Sequence, residues 1–316
     1  MAEKFPLVSI VTPSLNQGRF IEENILSVKK QTYPRIEHII IDAVSTDNTL
    51  DVIKKYDGAY NMRWVSEHDN GQSDALNKGC RMAKGEILAY LNSDDTYMPQ
   101  AVETAVKFLN DHPDVTMVYG DCNFINEFSK AVGRFPAREF DLREMLCERN
   151  IVPEQATFFR REVLDKVGYP DVNLYVAMDW DFWIRIALSG FKVKYIPQLL
   201  ANFRYYPGTK TVSQGYKSGP AHLYIIDKIF SNPELPDAAR TLRRQAYSAA
   251  YLRVGLSYHA QRQMKQARKY LMKSIISYPR NLLRPWLAAY LVTSLLGRKA
   301  TDIASSWRVK LASKKS

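Results

Sequence analysis

The sequence predicts an α/β chain: a mostly parallel sheet with helices on both faces, followed by an all-α C-terminal region. Three observations carry this. Short apolar runs recur at 7–12, 36–42, 62–66, 87–91 and 115–119; each suits a strand buried on both faces. Segments with apolar residues at helical spacing alternate with them. Beyond residue 220 the strand-like runs stop and a basic, helical pattern takes over.

The first strand, 7–12, leads to a helix over 18–32 with Phe20, Ile21, Ile25 and Val28 as its apolar stripe. Tyr33-Pro34 stops it, because the residue before a proline is pushed out of the helical region. After the 36–42 strand, Ser45 or Asp47 can cap a helix that packs through Leu50, Val52, Ile53 and Tyr56. The 62–66 strand is followed by a helix over 72–83, with Gly85 just beyond its end. The 87–91 strand is followed by a helix near 98–110 and the run at 115–119. A further helix spans 177–190, with Trp180, Trp183, Ile184 and Ala187 as its stripe.

A chain of 316 residues, 46% hydrophobic and 24% charged, is ordinary globular protein, and its length suits two domains. No uncharged apolar window is long enough to span a bilayer, and the N-terminus shows no apolar signal core, so a cytoplasmic location is expected. Cys80, Cys122 and Cys147 form no C-x-x-C pair, which argues against a disulfide framework and a thiolate zinc site. The net charge of +11 is unevenly placed. Residues 221–316 hold 18 Lys and Arg against four acids, whereas residues 1–220 are net −3. This divides the chain into a catalytic domain over 1–220 and a basic helical region over 221–316.

In open α/β sheets, ligands bind beyond the carboxyl ends of the strands. Those ends read Thr12-Pro13-Ser14-Leu15-Asn16, Asp42-Ala43-Val44-Ser45, Ser66-Glu67-His68-Asp69-Asn70-Gly71 and Asn92-Ser93-Asp94-Asp95. One polar loop after a strand is ordinary; four that could share one crevice point to a site. Asp94 and Asp95 repel each other, and enclosing both as anions is costly without a cation or hydrogen bonds. Hard ions such as Mg²⁺ or Mn²⁺ take carboxylate oxygen and keep positions open for substrate phosphates. The plain alternative is a solvated turn that caps the following helix.

Val8-Ser-Ile-Val-Thr-Pro-Ser-Leu-Asn16, Ile41-Asp-Ala-Val-Ser-Thr-Asp-Asn-Thr49, Ser66-Glu-His-Asp-Asn-Gly-Gln-Ser-Asp-Ala-Leu-Asn-Lys-Gly79 and Leu91-Asn-Ser-Asp-Asp95 resemble, in order and spacing, the successive blocks of family-2 glycosyltransferases. Tyr119-Gly-Asp121, Pro153-Glu-Gln-Ala-Thr-Phe-Phe-Arg160, Met178-Asp-Trp-Asp-Phe-Trp-Ile-Arg185 and Phe203-Arg204 continue the likeness, which covers about residues 7–213. The resemblance implies the A-type nucleotide-diphospho-sugar transferase fold and inverting, metal-dependent transfer. It implies that Thr12, Pro13 and Asp42 line the nucleoside pocket, with Asp42 toward the base and Asp94 toward the ribose. Asp95 would ligate Mg²⁺ or Mn²⁺, and Asp69, Asp74, Asn77 and Lys78 would face the diphosphate and donor sugar. Asp74 and Asn77 could instead cap and brace their own helix, and Lys78 could be a solvated charge. Two departures stand out: Ala43-Val44 replaces a common pair of glycines, and Tyr205-Tyr206 follows Arg204 where many relatives carry a histidine.

Glycosyl transfer needs a base for the acceptor hydroxyl. Asp179 matches the family's late catalytic aspartate, although it could serve only as a helix cap. Asp181 is placed to pair with Arg185 at i, i+4. Trp180 and Trp183 could form an acceptor platform, and Arg160, Arg161, Arg185 and Arg204 could meet phosphates.

In the C-terminal region, residues 248–281 resemble one tetratricopeptide-like unit, with Tyr251, Gly255, Tyr258, Ala267, Leu271, Ser274 and Pro279 at its offsets. Residues 280–316 combine Arg284, Arg298, Lys299, Arg308, Lys310, Lys314 and Lys315 with Trp286, Leu287, Tyr290, Leu291, Leu295 and Leu296. That combination suits docking on an anionic membrane face, peripheral to the inner leaflet. The expected partners are a nucleotide-diphosphate sugar and a glycan or lipid-linked glycan acceptor of surface polysaccharide synthesis. Nucleic acid is not expected, given the acidic catalytic half. A nucleotidyltransferase would need a glycine-rich basic loop after the first strand, and a non-catalytic sugar-nucleotide binder has no need of Asp94, Asp95 and Asp179 together.

Overall fold

The computed structural model describes residues 5–283 and 285–296. It divides into two compact units: one runs to Met145 and resumes over Asn150–Thr209, and the other comprises Leu146–Arg149 and the chain from Lys210 onward.

The first unit is built on strands β1 (Val8–Ser14), β2 (Ile36–Asp42), β3 (Met62–Ser66), β4 (Ile87–Tyr90), β5 (Thr96–Tyr97), β6 (Val115–Ile125), β7 (Ala131–Arg134), β8 (Thr157–Arg160) and β9 (Lys192–Arg204). They form one sheet in the order β3-β2-β1-β4-β8-β6-β9-β5, with β7 paired to β6. The run β3-β2-β1-β4 is parallel, as is the β6–β9 pair. Strand β8 enters antiparallel to both β4 and β6, so the sheet is mixed past β4. Helices α1 (Ile21–Lys29), α2 (Thr49–Lys55), α3 (Gln72–Met82), α4 (Ala101–Asp111), α5 (Leu142–Cys147), α6 (Glu162–Val167) and α7 (Met178–Leu188) fill the connections; the end of α5 belongs to the second unit.

Elements with a continuous apolar run fall where the sequence places them. Those without one do not. The 115–119 run extends to Ile125 because the polar stretch Gly120–Asn123 pairs with β9. Strand β9 itself alternates exposed Lys192 and Lys194 with more enclosed neighbours, so it carries no strand-like apolar run. Val8, Ile10, Ala89, Leu91 and Val118 pack with Val102, Ala105, Val106 and Leu109 of α4. Ile21, Ile25 and Ile53 from α1 and α2 close over Ile40 and Met62.

Helix α3 lies close against β1. A Cβ at Gly79 would sit 2.3 Å from Val11 Cγ1, so only glycine admits this approach.

The second unit is helical: α8 (Lys210–Ser213), α9 (Ser218–Phe230), α10 (Asp237–Arg240), α11 (Arg243–Ala260), α12 (Met264–Ser277) and α13 (Pro285–Leu296). Helices α11 and α12 form a hairpin with small residues at its seam. Gly255 meets Leu271, whose Cδ2 would lie 2.8 Å from an added Cβ. The Ser248 and Ser274 hydroxyls sit 3.1 Å apart, and Asn281 Nδ2 donates to both, at 2.7 and 3.0 Å. In α13, Leu287, Tyr290 and Leu291 pack on Leu252, Leu271 and Ile275, whereas Leu295 remains exposed. The side chains of Trp286 and Leu296 lie outside the described residues, as do Arg284 and everything from 297, including Arg298, Lys299, Arg308, Lys310, Lys314 and Lys315. Among the described residues no helix is long and apolar enough to cross a membrane.

Gly79→Ala tests the α3–β1 contact. Helix propensity favours alanine by about 1 kcal/mol, but overpacking a tight core contact costs about 1–3 kcal/mol. A net loss of roughly 1 kcal/mol is expected in urea unfolding.

Candidate active site

Asp95 is fully enclosed. Its Oδ1 accepts the Arg204 backbone N–H at 2.7 Å, and its Oδ2 accepts from Gln155 Nε2 at 2.9 Å and Asn92 Nδ2 at 3.2 Å. Asp94, beside it, is partly enclosed. Burial pushes Asp94 up to about 6, and burial followed by the Asp94 charge pushes Asp95 well above the ordinary carboxylate range. Two such groups favour a cation beside them.

Asn92 joins this turn to its surroundings. Its Oδ1 accepts Gln72 Nε2 at 2.7 Å, its Nδ2 also reaches Glu154 Oε2 at 3.1 Å, and its carbonyl accepts Asn24 Nδ2 at 2.9 Å. Arg204 is fully buried and closes the other side. Its guanidinium donates to the Asp94 carbonyl at 2.8 Å, the Asn126 carbonyl at 2.9 Å, Ser129 Oγ at 3.0 Å and Glu23 Oε2 at 2.8 Å. It also lies over the Phe20 ring at 4.4 Å.

Arg204 is therefore held by protein partners. The other arginines offered by the sequence also bind protein groups. Arg160 donates to the Val115 and Leu109 carbonyls, and Arg161 to the Gly85 carbonyl. Arg185 pairs with the fully buried Asp181 at 2.7 Å, as the i, i+4 spacing suggests, and holds the Val167 and Tyr169 carbonyls. Trp183 is enclosed against Tyr90, Phe159 and Phe182, and Trp180 is also buried, so neither offers an open platform.

The block after β3 is knitted locally. Gly71, at φ 108°, starts α3. Asp69 Oδ1 accepts the Gly71 N–H at 2.8 Å, and Asp74 Oδ2 accepts the Asn70 N–H at 3.0 Å. Lys78 pairs with Glu67 at 2.9 Å and donates to the His68 carbonyl at 2.6 Å. Asn77 Nδ2 donates to the Pro170 carbonyl at 3.0 Å, and Ser73 Oγ to the Leu174 carbonyl at 3.3 Å. Helix α3 thus braces the segment that leads into α7 while Gln72 holds Asn92. Asp179, in the first turn of α7, is partly accessible and accepts Asn150 Nδ2 at 2.9 Å.

The residues expected at the nucleoside pocket sit deeper than the sequence suggests. Asp42 is fully buried: Oδ1 accepts the Ser45 hydroxyl at 2.5 Å, and Oδ2 accepts the Ser45 N–H at 2.9 Å and Ser66 Oγ at 2.8 Å. Thr12 is also fully buried, its hydroxyl 2.9 Å from His38 Nε2, and His38 Nδ1 lies 2.6 Å from the Tyr60 hydroxyl. Pro13 is enclosed between them in the β1–β2 register. The exposed residues at these strand ends include Leu15, Asn16 and Val44, the last in the left-handed region at φ 58°. Val44 stands where glycine would adopt that conformation without cost.

Asn92, Glu154 and Gln155 lie inside blocks legible in the sequence but had no role there. Asn150 lies in a loop with no pattern to mark it. Among the described residues no three His, Cys, Asp or Glu side chains gather as a complete metal cage. The Asp94–Asp95 pair instead suits a cation held by one or two carboxylates and completed by substrate phosphates.

Residues 9–168 match the family described as glycosyl transferase family 2. An uncharacterized glycosyltransferase of Mycobacterium tuberculosis is 33% identical over 186 residues, covering 58% of this chain and 70% of the relative. A PGL/p-HBAD biosynthesis glycosyltransferase of Mycobacterium bovis is 30% identical over 207 residues, covering 64% of this chain and 78% of the relative. In fold, the chain is similar to S. aureus TarS 1–349 in complex with UDP-GlcNAc, with a TM-score of 0.67, 19% identity and coverage of 91% and 89%. It is also similar to a mannosyltransferase of Pyrobaculum calidifontis in complex with GDP-Man and Mn²⁺, with a TM-score of 0.62, 19% identity and coverage of 93% and 87%.

The enclosed His38 gives a pH signature. Burial lowers it to about 3, whereas an unfolded histidine titrates near 6.5. Between those values the unfolded chain binds a proton that folded His38 refuses, so its contribution to stability is lost as pH falls from about 6.5 toward 3. The slope contributed approaches about 1.4 kcal/mol per pH unit, and urea midpoints across this range should fall less steeply in His38→Gln.

Proposed function

The chain is a glycosyltransferase and belongs to glycosyl transferase family 2, and we propose that it moves a sugar from a nucleotide-diphosphate donor to a hydroxyl of a glycan acceptor with inversion. The observation that carries this reading is the double attachment of α3. One helix holds the Asp94–Asp95 turn through Gln72 and the approach to Asp179 through Asn77 and Ser73.

The donor diphosphate lies at the Asp94–Asp95 turn, with the 69–78 block beside it. Asp95, with the Asp94 carboxylate beside it, would hold Mg²⁺ or Mn²⁺, and Asp94 would also face the ribose. When bound, the cation neutralises charge that develops on the departing diphosphate. Asp69, Asp74, Asn77 and Lys78 shape the diphosphate and sugar side. Thr12, Pro13 and Asp42 hold the floor of the nucleoside pocket, and Leu15 and Val44 meet the nucleoside itself.

Asp179 accepts the acceptor hydroxyl proton, and Asn150 orients its carboxylate. The acceptor oxygen forms a bond to the anomeric carbon from the face opposite the diphosphate. The bond from that carbon to the phosphate oxygen breaks, and its electron pair leaves with the nucleoside diphosphate. The configuration at carbon is inverted.

This catalysis belongs to residues 1–220, with 221–316 as an accessory helical region. The acceptor is a glycan or lipid-linked glycan of surface polysaccharide synthesis, met at the cytoplasmic face of the membrane. The similarity to a PGL/p-HBAD biosynthesis glycosyltransferase of Mycobacterium bovis supports a biosynthetic role.

A panel of nucleoside diphosphates and their sugars, with and without Mn²⁺, tests the donor site by thermal shift. One nucleotide should raise the melting temperature with Mn²⁺, by about 2.7 kcal/mol of stabilisation at 100 times Kd, and Asp94→Asn should lose the Mn²⁺-dependent part. Asp179→Asn should keep the donor shift and lose at least about 100-fold in kcat. Retained turnover in Asp179→Asn, or a product with retained anomeric configuration, would overturn the mechanism.

A further inference from the structure

The outer face of α12 and the turn after it form a surface that neither the hairpin seam nor α13 covers. Lys265, Lys269, Met272 and Ile276 recur at three- and four-residue spacing and are all exposed, so they share one face of the helix. The basic residues occupy its first half. The apolar ones occupy its second half, with Met272 47% and Ile276 70% exposed. The chain then enters a 3-10 turn over Pro279–Leu283. Asn281 is buried and pins that turn to Ser248 and Ser274. Its neighbours Leu282 and Leu283 therefore stay outside, at 64% and 81% exposure, and Arg280 is exposed beside them.

Residues 264–283 contain five Lys and Arg and no acid. Bulky aliphatic side chains left in water beside cations are a poor match for nucleic acid, whose phosphates call for cations alone. They match a bilayer interface, where aliphatic groups enter the acyl boundary and lysines meet anionic headgroups. We infer that the outer face of α12 with the 279–283 turn docks this chain on an anionic lipid surface, with Ile276, Leu282 and Leu283 as the inserted tip and Lys265, Lys269 and Arg280 as the headgroup contacts.

This reading extends the membrane contact expected over 280–316 back along α12, because Leu287, Tyr290 and Leu291 of α13 are packed within the unit. It deepens the cytoplasmic-face reading above but is read without nucleotide, so either can fail alone. The full chain is sedimented with phosphatidylcholine vesicles and with vesicles containing about one third phosphatidylglycerol, at roughly 0.1 M salt. Wild type should bind only the anionic vesicles. The double variant Leu282→Ser/Leu283→Ser should bind at least about tenfold more weakly, and Lys265→Gln and Lys269→Gln about fivefold each. Phe128→Ser, which removes an exposed aromatic from the other unit, should change nothing. Urea midpoints should match wild type throughout, since all these side chains are exposed. Absence of wild-type binding would overturn the inference. So would binding that the leucine variant leaves unchanged, because that marks a purely electrostatic face open to any polyanion.

Discussion

A carboxylate withheld from water organises the first unit. Asp95 has no solvent access, so its charge must be met by N–H donors brought from elsewhere. Those donors come from the end of β9, from Gln155 ahead of β8, and from Asn92 in its own turn. Each donor is itself committed: Arg204 reaches α1 and the β6–β7 hairpin, and Asn92 reaches α3 and Glu154. The mixed half of the sheet is thereby registered against the parallel half at this turn.

The burial that makes this turn rigid also raises both carboxylates, and a pair in that state is poised for a divalent cation. This differs from a solvated acidic turn, which would gain little from the ion. Arg160, Arg161, Arg185 and Arg204 serve as fasteners between elements.

In the second unit the deciding feature is the seam of small residues. Gly255, Ala267 and Ser274 let α11 and α12 approach closely, and Ser248, Ser274 and Asn281 satisfy one another's polar groups there. With its inner side closed in this way, α12 is left with a distinct outer face, and α13 is drawn into the core of the unit by Leu287, Tyr290 and Leu291.

Much of this was legible in the order of residues alone. The runs at 36–42 and 62–66 coincide with β2 and β3, whose apolar residues include Ile39, Ile40, Ile41 and Met62. The Asp94–Asp95 pair, the 66–79 block and the helix bearing Asp179 were visible as motifs, and Asp181 paired with Arg185 as spacing required. What sequence could not supply was the direction of each polar side chain. Thr12 and Asp42 sit at strand ends, where a ligand is expected, yet their hydroxyl and carboxylate turn inward to His38, Ser45 and Ser66. Strand β9, unlike the earlier strands, carries exposed lysines in its first half, and it takes its place in the sheet by pairing with β6 and β5. Local pattern reports which residues must leave water. Which polar groups leave with them depends on partners up to 181 residues away in the chain, and only the assembled fold brings those partners together.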